Sequence, residues 1–198
     1  EVPHLRKDYF ENEFHDYNQE QGYEDRNVEW FKTHILNDAL QEFKSRDNLL
    51  DVGCAGGYFT RLFKESFDLV HGVDFCDIRI SHARQHETDH LNFHLADITE
   101  AEELKALGQQ FDNIYSSAVI PHIPLPDKVK AFDNLAAISN PGAILVLYDG
   151  YSTLPTNIND EFVGIFNEKC FISNLSSWKL MKCNLLTRDV FKYVLERN

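Results

Sequence analysis

The chain has 198 residues, 43% of them hydrophobic and 13% aromatic, which suits one ordinary domain with a sizeable core and excludes wholesale disorder. Nineteen basic residues stand against thirty-two acidic ones, a net charge of −13 without any basic run, and this argues against nucleic acids and anionic membrane surfaces as partners. The longest clean apolar run, Ala143–Tyr148, falls far short of the roughly 20 residues that a membrane span needs, so no span is expected.

The elements follow in chain order. Residues 1–25 are polar with interleaved aromatics and read as an arm or lid. From Arg26 to Phe43 the apolar residues Val28, Phe31, Ile35, Ala39 and Phe43 share one helical face. Asn48–Val52 is a short strand, and Tyr58–Phe67 a helix burying Phe59, Leu62 and Phe63. Leu69–Val73 is the second strand, followed by a helix over Asp77–Glu87 with Asp77 as its N-cap. Leu91–Leu95, Phe111–Ser117 and Ala143–Tyr148 are the next strands. The helices between them are Glu100–Leu107 and Asp127–Ile138, the latter with an apolar stripe of Val129, Phe132, Leu135 and Ala136. Pro141-Gly142 reads as a turn before the fifth strand. Trp178–Leu186 and Val190–Leu195, separated by three residues, read as an antiparallel hairpin at the sheet edge. The expected fold is therefore α/β: a single doubly wound, Rossmann-like domain over residues 26–198. Its seven-stranded sheet is mostly parallel with a C-terminal antiparallel hairpin, and residues 150–177 form an insertion.

Cys54, Cys76, Cys170 and Cys183 form no CxxC element, so they read as free thiols of a cytoplasmic protein rather than zinc or redox centres. Glu1–Asp8 begins no signal-peptide pattern, which agrees with that location. His82, His86, His90 and His94 recur every fourth residue. Because Leu91–Leu95 reads as a strand, only His82 and His86 can share a helix face, and a solvated face is expected there rather than a metal site.

The most informative stretch is Asp51-Val52-Gly53-Cys54-Ala55-Gly56-Gly57-Tyr58, which leaves a strand and opens a helix. Small residues at such a switch point let backbone approach a ligand closely. A dinucleotide fingerprint counted from Gly53 wants glycine at 55 and 58, where Ala55 and Tyr58 stand, so a nicotinamide oxidoreductase is disfavoured. No Gly-Lys-Ser/Thr follows, which excludes a Walker loop. A carboxylate two residues before the first glycine repels a pyrophosphate and suits a cationic ligand.

With these residues the sequence resembles the class I S-adenosylmethionine-dependent methyltransferases, whose first motif has the form acid-x-Gly-x-Gly-x-Gly; Ala55 replaces the middle glycine. The resemblance covers Asn48 to Tyr148 and extends to the reversed last strand. It implies S-adenosyl-L-methionine as cofactor and S-adenosyl-L-homocysteine as product. Asp51, Gly53, Cys54, Ala55 and Gly57 would meet the amino acid end and the loop. Asp74 would accept from the ribose hydroxyls and Phe75 would pack on the adenine. Asp97 and Ile98 would hold the adenine rim, and Ser117 would border the cofactor from the fourth strand.

Methyl transfer needs alignment above all, and a base only where the acceptor must lose a proton. His122, in Ser117-Ala118-Val119-Ile120-Pro121-His122, is the best base candidate because imidazole titrates near neutrality, the alternative being that it only hydrogen-bonds the loop and shapes the cofactor pocket. Tyr17, Tyr148, Asp149 and Tyr151 are candidates to face the acceptor; Tyr9, Tyr17 and Tyr23 are candidates to close over the cofactor, with core packing the alternative for each; and Trp178 is expected to line the far side or sit in the core. The loop after the fourth strand lacks the Asn/Asp-Pro-Pro-Tyr/Phe element of amino-methylating enzymes that act on bases or glutamine, and the Lys-Asp-Lys-Glu set of RNA ribose methyltransferases is incomplete. The run Gly53–Thr60 with Val119–Ile123 is similar to methyltransferase domains that modify bacterial surface polysaccharides. O-methylation of a saccharide or other small molecule is therefore the first expectation, and N-methylation of a small molecule the alternative. A catalytically silent cofactor-binding module serving as a partner subunit is the non-enzymatic rival.

Overall fold

The computed structural model describes residues 29–123, 125–150, 175–187 and 190–198. The expected arm, with Tyr9, Tyr17 and Tyr23, lies outside the described residues, as does Tyr151 with nearly all of the insertion.

The chain is helical over residues 29–40, and Lys32–Leu36 within that stretch is a π turn in which the Asn37 N–H bonds the Lys32 carbonyl five residues back. Apolar residues at strict four-residue steps drift by about 40° per step around an α-helix. The extra residue in the π turn takes up that drift, so Phe31, Ile35, Ala39 and Phe43 stay buried on one face. The α-helix α1 (Asn37–Leu40) completes the segment. Then come β1 (Asn48–Val52), α2 (Thr60–Phe63), β2 (Leu69–Asp74), α3 (Asp77–Ala83), β3 (Leu91–Leu95) and α4 (Ala101–Lys105). β4 (Phe111–Ser117), a 3₁₀ turn Ile120–His122, α5 (Leu125–Ala137), β5 (Ser139–Gly150), β6 (Trp178–Thr187) and β7 (Val190–Arg197) follow.

The sheet order is β3-β2-β1-β4-β5-β7-β6. The first five strands are parallel, while β7 runs antiparallel to both β5 and β6. The seven-stranded, mostly parallel architecture with its reversed hairpin is thus as expected. Two apolar layers cover the sheet. One holds Phe31, Phe63, Val70, Phe93 and Val146, the other Leu50, Val73, Phe132, Leu145 and Trp178.

Several local expectations are corrected. The second helix is shorter than Tyr58–Phe67, because Asp68 and Leu69 donate to Arg46 and Asp47 carbonyls and draw the chain into β2. Phe63 is fully buried, with Phe59 and Leu62 packed beside it. The N-cap of α3 is Cys76, without a side-chain cap bond; Asp77 is the first helical residue. On α5, Val129 is 46% exposed, and Lys128, Ala131, Phe132 and Leu135 form the inward i, i+3, i+4, i+7 stripe. Pro141-Gly142 lies inside β5, where the pairing with β4 slips between Phe111 and Asn113 and Gly142 adopts φ +80°. Trp178 is in the core, its indole N–H donating to the Phe132 carbonyl at 2.9 Å.

A buried charge cluster ties the first helical segment to the reversed strand. Lys192 Nζ on β7 reaches Asp38 at 2.8 Å and Glu42 at 2.8 Å, and Tyr148 donates its hydroxyl to Asp38 at 2.5 Å. Among the described residues no helix is long and apolar enough to cross a membrane.

Candidate active site

The parallel strands β1, β2 and β3 end side by side, and their pairing places the three expected acids in adjacent rows. Val52 opposes Val73, Asp74 opposes Leu95, and Asp97 follows two residues later. Ala96 N–H bonds the Asp74 carbonyl at 3.0 Å, which stitches the second and third strand ends together.

The glycine loop is held by backbone bonds. Gly53 and Cys54 both donate to the Val73 carbonyl, at 2.8 and 3.0 Å, and Gly57 donates to Cys54 at 2.9 Å. Gly53 and Ala55 are left-handed, at φ +72° and +48°. Left-handed backbone costs an alanine about 1 kcal/mol, and the cost at Ala55 is offset by its N–H bonding Asp74 Oδ2 at 3.0 Å. A Cβ on Gly53 would overlap Val119 Cγ2, so the glycine is what lets the turn after β4 close on the loop. Gly57 serves packing instead: its Cβ would lie 2.5 Å from the Phe93 ring. Gly53→Ala should therefore destabilise the protein by about 1–3 kcal/mol and weaken homocysteine-product binding, read by thermal unfolding and calorimetry.

Asp51 is 4% exposed and accepts from Thr60 Oγ1 at 2.6 Å. Burial pushes its carboxyl up to about 7, the Thr60 hydrogen bond opposes that, and the charge of Asp74 adds to it. Asp74 uses both oxygens on the loop, with Cys76 N–H on Oδ1 at 2.9 Å and Ala55 N–H on Oδ2. A carboxylate has about four acceptor positions, so these two bonds are compatible with hydroxyls as further donors. Phe75 is half-buried beside it. Asp97 is half-buried and locked by its own turn: Thr99 N–H and Oγ1 donate to Oδ1 at 2.9 and 2.8 Å. Ile98 is buried, and its carbonyl accepts from Asn134. Cys54 is buried, with its thiol pushed up by desolvation and by the Asp51 and Asp74 charges, so it is not a nucleophile.

Ser117 ends β4, with its hydroxyl beside the buried Tyr115 phenol. His122 closes the 3₁₀ turn, half-buried, with its N–H on the Val119 carbonyl at 3.0 Å. Because Val119 also meets Gly53, the His122 turn and the cofactor loop are one packed unit. Two acceptor-facing expectations are corrected. Tyr148 and Asp149 are each 1% exposed. Tyr148 turns its hydroxyl to Asp38, and Asp149 points inward below α5, where the Lys128 charge acts on it. Among the described residues no group of three or more metal-ligating side chains exists; the His82 and His86 rings stack edge to face.

Sequence reasoning missed Thr60, Val119 and Lys128. Thr60 was accessible as a hydroxyl in the first turn after the loop. Lys128 was accessible from its regular stripe position, which its charge disguised.

The loop and acids fit S-adenosylmethionine on the structure's own terms. Asp51 is a buried carboxyl whose ionised form a positive ligand would favour, and Asp74 is a buried acceptor beside a loop open to close backbone approach. A family model described as a methyltransferase domain matches residues 23–163. The ubiquinone biosynthesis O-methyltransferase of Coxiella burnetii (strain Dugway 5J108-111) is 32% identical over 114 residues, covering 56% of this chain and 44% of the relative. The enzyme of the same name from Hydrogenovibrio crunogenus is 25% identical over 151 residues, covering 72% of this chain and 59% of the relative. The chain thus spans about half the length of the curated relatives it matches. In fold it is similar to the N-methyltransferase NodS of Bradyrhizobium japonicum WM9, with TM-score 0.68, 18% identity and coverage of 90% and 98%. It is also similar to the magnesium protoporphyrin IX methyltransferase of Synechocystis PCC 6803, with TM-score 0.67, 15% identity and coverage of 98% and 99%. The chain belongs to the methyltransferase-domain family, and its fold is that of these solved methyltransferases.

Proposed function

We propose that this enzyme methylates a hydroxyl oxygen of a small molecule, a saccharide being the first class to test, with His122 accepting the hydroxyl proton. The observation that carries the reading is the packing of the His122 turn, through Val119, onto Gly53 of the cofactor loop. That packing supports a role for the His122 imidazole near where the methyl group would be presented. When bound, the cofactor supplies a methyl on a sulfonium whose departure leaves a neutral thioether. Asp51 would pair with the cofactor's positive amino end, Asp74 would accept from the ribose, and Asp97 and Phe75 would border the adenine. Ser117, Cys54 and Ile98 complete the wall. Alignment and exclusion of water do most of the remaining work. The net charge of −13 supports a small acceptor over a nucleic acid, and the scattered cysteines without a CxxC element support a cytoplasmic setting.

A second acceptor class is favoured by the relatives. They are named ubiquinone biosynthesis O-methyltransferases, which supports oxygen as the methylated atom and a hydroxyl on a quinone-type ring as an alternative to a sugar. The test is a mass-spectrometric screen with methyl-labelled cofactor against sugars, sugar phosphates, phenols and catechols. Label on oxygen is the expected outcome; label confined to nitrogen would overturn the reading. With the acceptor found, His122→Ala should lower turnover roughly 100-fold while product affinity stays near that of the parent. Undiminished turnover would assign His122 to shaping the loop.

A further inference from the structure

His71 and His94 take part in no step of methyl transfer, yet they are paired. They stand on the neighbouring strands β2 and β3, where His71 opposes Asn92 and His94 opposes Val73. His71 Nδ1 lies 2.8 Å from His94 Nε2. The ring centres are 5.0 Å apart and the planes within 8° of parallel. The nitrogen contact and the two ring radii together span nearly that whole separation, so the imidazoles lie side by side in one plane rather than face to face. Such a contact between two ring nitrogens needs one N–H and one lone pair. The two rings therefore share a single proton along that line.

The surroundings decide which ring gives it. His71 is 7% exposed, and its Nε2 is buried without a hydrogen-bond partner among the described residues. Buried orphan N–H groups are rarer in folded proteins than unmet acceptors. That puts the shared N–H on His71 Nδ1, the lone pair on His94 Nε2 and the other His94 proton on Nδ1. The one nitrogen left to take a further proton is His71 Nε2, and it lies in the core. Leu50 opposes His71 from β1, and Phe111 of β4 meets its ring at 75°, so neither offers an acceptor to a cation. From the turn after α3, Glu87 and Arg84 act on His94 in opposite senses; both are engaged at Phe93, Glu87 Oε1 on its N–H and Arg84 Nε on its carbonyl. On α4, Glu103 holds the Asp97 N–H and Glu102 pairs with Lys105. His90, at the foot of β3, is bonded to the Asp68 carbonyl. Burial accordingly holds both imidazoles below their ordinary range, His71 at about 4. Acid can charge the pair readily only by breaking it.

The place of the pair gives this a consequence. β3 is the edge strand and pairs with β2 alone among the strands. The rows at and beyond His94 carry the Val73 carbonyl that takes the loop amides, then Asp74, whose carbonyl takes the Ala96 N–H. We propose that His71 and His94 form a neutral clasp that holds β3 to β2 beneath Asp74 and Asp97, and that acid opens the clasp and weakens cofactor binding with it. The effect on binding rests on the cofactor reading above; the clasp itself does not. Once open, the pair takes a proton near the ordinary value of 6.5, whereas the closed pair takes one only near 4. The open form therefore gains by about tenfold per pH unit as pH falls through that window.

The test combines ring-nitrogen NMR, amide exchange and calorimetry on the parent, His94→Gln and His71→Phe. At pH 7 the NMR should show His71 protonated at Nδ1 and bare at Nε2; a proton on Nε2 instead would overturn the proposal. With the ordinary pH dependence of amide chemistry divided out, the parent's Ala96 amide should exchange about tenfold or more faster at pH 5 than at pH 7. Ile114 and Val146 in the sheet centre should change much less. His94→Gln offers an amide oxygen to His71 Nδ1–H and takes no proton. It should keep slow exchange at both pH values and lose less affinity for S-adenosylhomocysteine on acidification than the parent, the Asp51 contribution being common to both. His71→Phe should exchange fast already at pH 7. An equal acid response in the parent and His94→Gln would sink the clasp, and that comparison decides alone if His71→Phe does not fold. If the parent binds no S-adenosylhomocysteine, the cofactor reading fails while NMR and exchange still decide the clasp.

Discussion

At pH 8, Asp51→Asn should make the ligand-free protein more stable and at the same time a weaker binder of its cofactor. The carboxyl ionises near 3.8 in an unfolded chain and near 7 in the folded one, chiefly because it is buried. Between those values the folded state holds a proton that the unfolded state has released. Stability therefore falls as pH rises through that window, and the loss is complete above it. The full penalty is on the order of 4 kcal/mol. Asparagine keeps an oxygen for Thr60 and carries no charge to desolvate, so it escapes the penalty. Thermal unfolding should show little difference between variant and parent at pH 4 and a growing advantage for the variant up to pH 8. Asp149 titrates in the same sense, and His71, lowered to about 4 by burial, in the opposite one. Both remain in the variant, so the difference isolates Asp51. Binding has the reverse sign. A positive ligand pairs with the ionised carboxylate, so parent affinity for S-adenosylhomocysteine should rise about tenfold per pH unit up to pH 7 and then flatten. The variant should lose that dependence and bind about 10- to 100-fold more weakly at pH 8. A variant equally stable and equally tight at both pH values would remove Asp51 from the site.

Asp74→Asn should be the more damaging change to binding, although it preserves shape. The carboxylate accepts Cys76 N–H on one oxygen and Ala55 N–H on the other. An amide offers one oxygen and one NH₂, so one backbone donor must face another donor whichever way the side chain is flipped. If Ala55 loses its partner, nothing offsets its left-handed backbone, and the loop that approaches the cofactor relaxes. Bonds to a charged acceptor contribute about 1.5–3 kcal/mol each. With a ribose hydroxyl affected as well, calorimetry should show product affinity reduced by about 100-fold or more. Stability should fall by about 1–3 kcal/mol. Product binding within a few-fold of the parent would show that the loop does not depend on this carboxylate.

The strands were legible because each is a short apolar run bounded by polar turns, and the loop because its small residues sit between an acid and a helix. Both signals are local. The misread features depend on partners distant in sequence. Tyr148 and Asp149 are neighbours whose sides of the sheet follow from pairing with β4 and β7, and no single-strand pattern says which face is which. The helical pattern by itself puts Val129 in the core in place of Lys128, because a lysine enters a core only when something charged waits there, and Asp149 lies twenty-one positions on. Pro141-Gly142 looked like a chain reversal, yet the sheet absorbs it as an irregularity within β5. The π turn was hidden for a related reason: four-residue spacing suits an α-helix until it is sustained, and then the backbone must widen by one residue.

The cluster of Lys192, Asp38, Glu42 and Tyr148 joins residues up to 154 positions apart. During synthesis the first helix therefore waits with two carboxylates lacking their buried lysine until β7 has left the ribosome. Closing so long a loop is entropically slow. The docking of β7 between β5 and β6 then completes this sheet, and a chain stalled before that strand would keep its cofactor loop while leaving a bare sheet edge open to aggregation.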